Sequence, residues 1–125
     1  MKFNYKRAMQ NRFRLKARVA YWKLTEKEWR KRCNGAGPKK MGWLVPDTLW
    51  GLRISEAAHI HDDDYTVGGT KTDKKIADWR FLDNMIKIIQ IKTRWNWLKR
   101  LRTHRAKIYY MAVKQCGMPA FNLEK

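Results

Sequence analysis

The chain has few cysteines, few acidic residues and no long apolar run. Cys33 and Cys116 are its 2 cysteines, enough for one bridge and too few for a disulfide framework. An intracellular chain keeps such thiols reduced, so stability must come from packing. No apolar run approaches the ~20 residues that a membrane-crossing helix needs. The start, Met1-Lys2-Phe3-Asn4-Tyr5-Lys6-Arg7, lacks the continuous apolar segment of a signal peptide. These absences predict a soluble product of the cytoplasm, whose export needs another route. No internal repeat or low-complexity tail interrupts the 125 residues, and a hydrophobic content of 44% excludes wholesale disorder. One domain with its own core is expected.

The shortage of acid is uneven. Against 29 Lys+Arg there are 11 Asp+Glu, a net charge of +18. Such an excess predicts attraction to a polyanion, either nucleic acid or an anionic membrane surface. Small basic proteins also use charge for solubility alone. Residues 1–46 carry 14 basic and 2 acidic groups, and residues 84–125 carry 10 and 1. Residues 47–83 reverse the balance, with 5 basic and 8 acidic. An acidic centre is thus flanked by basic segments. With the elements read below, the single domain comprises a basic N-terminal arm (1–32), a loop with helices (33–90) and a basic C-terminal helix (91–125).

Local patterns place the elements. Phe13, Leu15, Ala17, Val19 and Tyr21 alternate with Arg12, Arg14, Lys16 and Arg18, a period of two that predicts a short strand or extended arm. Tyr5, Met9, Phe13 and Ala17 also allow a helix. Thr25-Glu26-Lys27-Glu28 is a capping box opening a short helix to about Arg32. Cys33-Asn34-Gly35-Ala36-Gly37-Pro38 is a glycine-rich loop, and the chain onward to Asp47 has no period. A helix is expected from about Ile54 or Ser55 through the acidic cluster, then a turn or tiny hairpin at Val67-Gly68-Gly69-Thr70. A second helix runs from Thr72 or Asp73 to about Lys92, and a third from near Trp97 to Cys116, stopped by Gly117. The fold class is mostly α, with two long helices packed together.

The centre holds His59-Ile60-His61-Asp62-Asp63-Asp64-Tyr65. It reads either as a solvated acidic turn or as a metal-dependent site. On a helix, His61 and Tyr65 lie on one face, with Asp62 turned about a quarter circle away. Asp62 could then hold a hard cation, which takes several oxygen ligands including loop carbonyls, while His61 acts as a base. Asp78 leads an apolar stripe with Phe81, Leu82, Met85 and Ile89. A buried carboxylate needs a partner, and an antiparallel pair of helices would bring it to His61, fixing the imidazole tautomer. On this view Asp63 and Asp64 are solvated or adjacent to the cation, and His59 is a surface or packing histidine. Zinc on His59, His61 and a carboxylate lacks the usual Cys/His spacing.

His61-Asp62-Asp63-Asp64-Tyr65 resembles the His-Asp-x-x-Tyr signature of the phospholipase A2 superfamily, and Cys33-Asn34-Gly35-Ala36-Gly37 is similar to its calcium loop. Ala57-Ala58 and Ala77-Asp78-Trp79-Arg80-Phe81 look like small phospholipase-like proteins of viruses and phages, as does Tyr109-Tyr110-Met111-Ala112-Val113 with Gly117 and Phe121. The likeness covers roughly residues 33–90. It departs at Asp64, where secreted members have cysteine, and in a longer spacing from Gly37 to His61. The resemblance implies calcium-dependent cleavage of the sn-2 ester of membrane phospholipids by a virion-associated protein. His61 would be the base and Asp78 its orienting partner, with Tyr65 supporting Asp78. Calcium would sit on Asp62 and the carbonyls of Cys33, Gly35 and Gly37. The alternative is a catalytically silent virion or nucleic-acid-binding protein on the same fold.

Arg94, Trp95, Trp97, Lys99, Arg100 and Arg102 interleave rings with cations. That mixture suits an anionic lipid interface, single-stranded nucleic acid, or an ordinary amphipathic helix.

Overall fold

The computed structural model describes residues 14–25, 27–28 and 48–123. In chain order the elements are α1 (Val19–Trp22), β1 (Thr48–Leu49), β2 (Leu52–Arg53), α2 (Ser55–Val67), α3 (Lys71–Lys92) and α4 (Asn96–Cys116), followed by a 3-10 turn at Met118–Ala120. The architecture is mostly helical with one small antiparallel sheet.

Helix α3 begins with a reciprocal cap. The Thr70 hydroxyl accepts from the Asp73 amide, and the Asp73 carboxylate accepts from the Thr70 amide. Two amides that helix geometry leaves orphaned are thereby satisfied. The expected box at Thr25 and Glu28 forms in the same way. Contacts between α2 and α3 fan out symmetrically from the turn at 68–70: Tyr65 meets Asp78, and His61 meets Asp78 and Phe81. The two helices are therefore antiparallel. Lys74, early in α3, bonds Val113 late in α4, while Arg102, early in α4, bonds Thr93 just past the end of α3. Helix α4 runs back along α3 and belongs to the core through Ala106, Tyr109 and Val113, all buried.

The stripe expected on α3 is observed, with Asp78, Phe81, Met85 and Ile89 buried and Leu82 partly so. Ile54, Ala57 and Ile60 of the α2 segment, Leu49 and Leu52 of the two strands, and Leu15 and Tyr21 of the N-terminal segment are buried with it in one core.

Two expectations change. The short strand or extended arm expected over residues 13–21 does not form as a strand among the described residues: residues 14–18 are irregular, Arg14 stands at a positive φ of 53°, and Val19–Trp22 turns helical. The hydrogen bonds that a partner strand would supply come from one side chain. Asn84, fully buried on α3, accepts from the Lys16 amide at 2.7 Å and donates to its carbonyl at 2.8 Å. The helical turn then leaves Val19 exposed where strict alternation would bury it.

A hairpin also forms where none was expected. Thr48 pairs with Arg53 and Leu49 with Leu52 around Trp50-Gly51. Both turn residues have positive φ, 46° at Trp50 and 81° at Gly51, as a two-residue turn matched to strand twist requires. Glycine takes that conformation freely, whereas tryptophan does so at a cost. The surroundings hold it: Arg102 donates to the Trp50 carbonyl at 3.0 Å, and the Arg105 guanidinium lies 4.9 Å from the Trp50 ring. Tyr109 adds a bond to the Thr48 carbonyl at 2.8 Å.

Candidate functional site

Two residues of α2 and two of α3 make a buried polar cluster. His61 and Tyr65, one turn apart, have ring centroids separated by 4.2 Å. Asp78 meets both. Its Oδ1 lies 2.9 Å from His61 Nε2 and accepts the Tyr65 hydroxyl at 2.5 Å. Its Oδ2 accepts Lys74 Nζ at 2.7 Å, from one turn earlier on the same helix. All four side chains are buried.

Burial pushes the Asp78 carboxyl up, but hydrogen bonds from His61, Lys74 and Tyr65 outweigh it and leave the group below its ordinary value. Asp78 is thus a carboxylate, which can only accept. The hydrogen of the 2.9 Å bond therefore belongs to His61 Nε2, and Nδ1 is the nitrogen able to take a proton. Burial, and then the hydrogen bond to Asp78 and its charge, push the Tyr65 hydroxyl far above the ordinary phenol range, so it stays a donor. Phe81, three residues after Asp78, stacks on the imidazole at 4.6 Å and 25°. The ring is held at its edge by Asp78 and on its face by Phe81.

Lys74 was not legible as a site residue, although its i, i+4 spacing to Asp78 was a signal for the pair. Its ammonium also donates to the carbonyls of Val113 at 3.0 Å and Lys114 at 3.4 Å. Those groups belong to the last turn of α4, where a cation is favoured. One side chain thereby neutralises Asp78 and ties α4 to the His61–Asp78 dyad. Gly117 completes the fit. It sits in an ordinary right-handed conformation, so left-handed freedom is not its role. A Cβ there would come within 2.5 Å of the Tyr65 hydroxyl.

The acidic triplet is not a solvated turn. Asp63 is 1% exposed and accepts Arg18 Nη2 at 2.8 Å. Asp64 is also buried and accepts Arg80 Nη1 at 2.8 Å. Each carboxylate pins a different segment, the N-terminal arm or α3, onto α2. Burial raises Asp64 to about 6 against the opposing pull of Arg80, with Asp63 adding to the rise and His61 and Arg18 opposing it.

Calcium would need a carboxylate beside His61 and several further oxygens. Asp63 and Asp64 are bound to arginines, and Asp62, the carboxylate next to His61 in the sequence, is half-buried. Cys33, Gly35 and Gly37 lie outside the described residues. Among the described residues no group of three or more His, Cys, Asp or Glu is arranged to hold a metal.

The residues expected to meet a membrane or polyanion divide. Arg94, Trp95, Trp97 and Arg100 are exposed, and Lys99 is half-buried. Arg102 is spent on the fold, bonded to Thr93 and to the Trp50 carbonyl. Cys116 is a free, exposed thiol. No helix among the described residues is long and apolar enough to cross a membrane.

Compared with known proteins, the chain matches no family model, no curated protein and no solved structure.

Proposed function

We propose that the chain is a phospholipase A2-like hydrolase that cleaves the sn-2 ester of membrane phospholipids. One observation carries the reading: a buried aspartate, itself held by a tyrosine one turn from the histidine, fixes the imidazole tautomer at 2.9 Å. Asp78 holds the Nε2 hydrogen, so Nδ1 takes the proton from a water as that water attacks the ester carbonyl. The imidazolium so formed is stabilised by the same carboxylate, and Nδ1 returns the proton to the leaving alkoxide. Tyr65 and Lys74 keep Asp78 ionised and still, and Phe81 keeps the ring plane fixed. A calcium ion on Asp62 and the 33–37 loop would supply electrophilic stabilisation of the developing oxyanion. Fatty-acid release from mixed phospholipid vesicles, with and without calcium, tests the assignment. Wild-type protein should release fatty acid and His61→Asn should not. Equal release by both would overturn the role of His61.

A second reading, a catalytically silent basic virion or nucleic-acid-binding protein, is favoured by one feature. His61 is only 1% exposed, and its cluster is neutralised internally by Lys74, as suits a structural polar core. A folded wild-type protein that releases no fatty acid under any calcium condition would select it.

A further inference from the structure

Helix α4 has two apolar faces, and among the described residues one of them is buried in the core. Ala106, Tyr109 and Val113 are turned into the core. On the opposite side Trp97, Leu101, Ile108 and Met111 follow the helical repeat and stand 64%, 36%, 45% and 42% exposed. They form a stripe about 21 Å long at 1.5 Å per residue, shared midway by exposed His104. Exposed Arg100, Lys107 and Lys114 line one edge of it. No acidic residue occurs anywhere in α4.

We propose that this outward face of α4 docks on an anionic lipid bilayer, lying in the plane of the headgroups. Charge decides among the possible occupants. A second copy of this chain would press one cationic edge against another with no acid on either helix to offset it. Nucleic acid would satisfy the cations and Trp97 could stack on a base, but Leu101, Ile108 and Met111, exposed beside it, add nothing to phosphate or stacking contact. A bilayer with anionic headgroups satisfies both parts. Leu101, Ile108 and Met111 enter the acyl boundary, Trp97 sits at headgroup level, and the long basic side chains reach the phosphates. Since α4 is not apolar enough to span, the helix lies on the membrane. The surface is separate from the His61–Asp78 dyad and does not depend on hydrolysis.

Vesicle co-sedimentation of the full chain in a metal chelator tests this without turnover. Phosphatidylcholine vesicles containing phosphatidylglycerol should bind wild-type protein at least tenfold more tightly than pure phosphatidylcholine. The triple variant Leu101→Ser/Ile108→Ser/Met111→Ser, its melting curve checked against wild type, should lose at least tenfold of that affinity. Its binding to a single-stranded oligonucleotide should be unchanged. Unchanged vesicle affinity in this variant overturns the proposal. An equal loss of oligonucleotide binding overturns it in favour of nucleic acid, and a wild-type dimer made monomeric by the triple change overturns it in favour of a second copy. Bromine-labelled lipids give an independent reading: they should quench tryptophan emission of wild type more than that of Trp97→Phe, and equal quenching counts against docking by this face. Vesicle binding by His61→Asn keeps the two proposals separable, since lost hydrolysis with intact binding bears on the dyad alone.

Discussion

His61 Nε2 lies 2.9 Å from Asp78 Oδ1 across the α2–α3 pair, on an oxygen that also accepts Tyr65, while Lys74 occupies the other. The carboxylate is therefore the hub of the cluster, and its removal should be felt most. Asp78→Ala leaves the Lys74 ammonium buried without its counter-ion, which should cost about 3–5 kcal/mol. Asp78→Asn keeps the volume but loses the charge and should remain the more stable of the two. Urea unfolding of both variants checks the order, and Asn less stable than Ala would contradict it.

Gly117 and Tyr65 should be coupled. Gly117→Ala places a methyl against the Tyr65 hydroxyl and the Val113 carbonyl, an overpacking expected to cost about 1–3 kcal/mol. Tyr65→Phe removes the hydroxyl, so the double variant should be more stable than the sum of the single effects predicts. A double-mutant cycle from denaturant melts measures this. Strict additivity would show that the clash is relieved elsewhere.

Asp64 should give stability a negative pH slope. Its folded-state value is raised from 3.8 to about 6, so between these values the folded chain binds more protons than the unfolded one. Stability from this group then falls as pH rises through that window, by about 3 kcal/mol in total. Asp78 acts in the opposite sense: its lowered value contributes stability at neutral pH that is lost in strong acid. Asp64→Asn should flatten the fall between pH 4 and 6. An unchanged slope in that variant would place its origin in another group.

Asn84 should govern the N-terminal segment. It makes two backbone bonds to Lys16 from a fully buried position. Asn84→Ala leaves the Lys16 amide and carbonyl without these partners, at about 1–3 kcal/mol. Limited proteolysis near residues 14–18 should accelerate more than cleavage elsewhere. Uniform acceleration would indicate global destabilisation only.

Calcium should raise the melting temperature if Asp62 helps to hold it. Stabilisation of ~2.7 kcal/mol is expected at a hundredfold excess over the dissociation constant, and Asp62→Ala should abolish the response. A melt indifferent to calcium argues against the metal, and a larger shift with zinc would point to the histidines.

The sequence by itself determined the local facts. Helical spacing put His61 with Tyr65 and made Asp78 the head of a buried stripe, and Gly117 marked the end of α4. Each depends on residues within a few turns of one another, where a fixed rise and rotation leave little freedom. Only the tertiary structure decided which charges were solvated. Asp63 meets Arg18 from 45 residues away and Asp64 meets Arg80 from 16 away, so a run that reads locally as a hydrated acidic turn is buried and paired. It also decided that Arg102 braces a hairpin and that Lys74 joins Asp78 to the end of α4. Gly117 likewise matters for the space it leaves Tyr65. These outcomes depend on how three helices register against one another, and the desolvation and pairing energies that set the register arise only when distant segments meet.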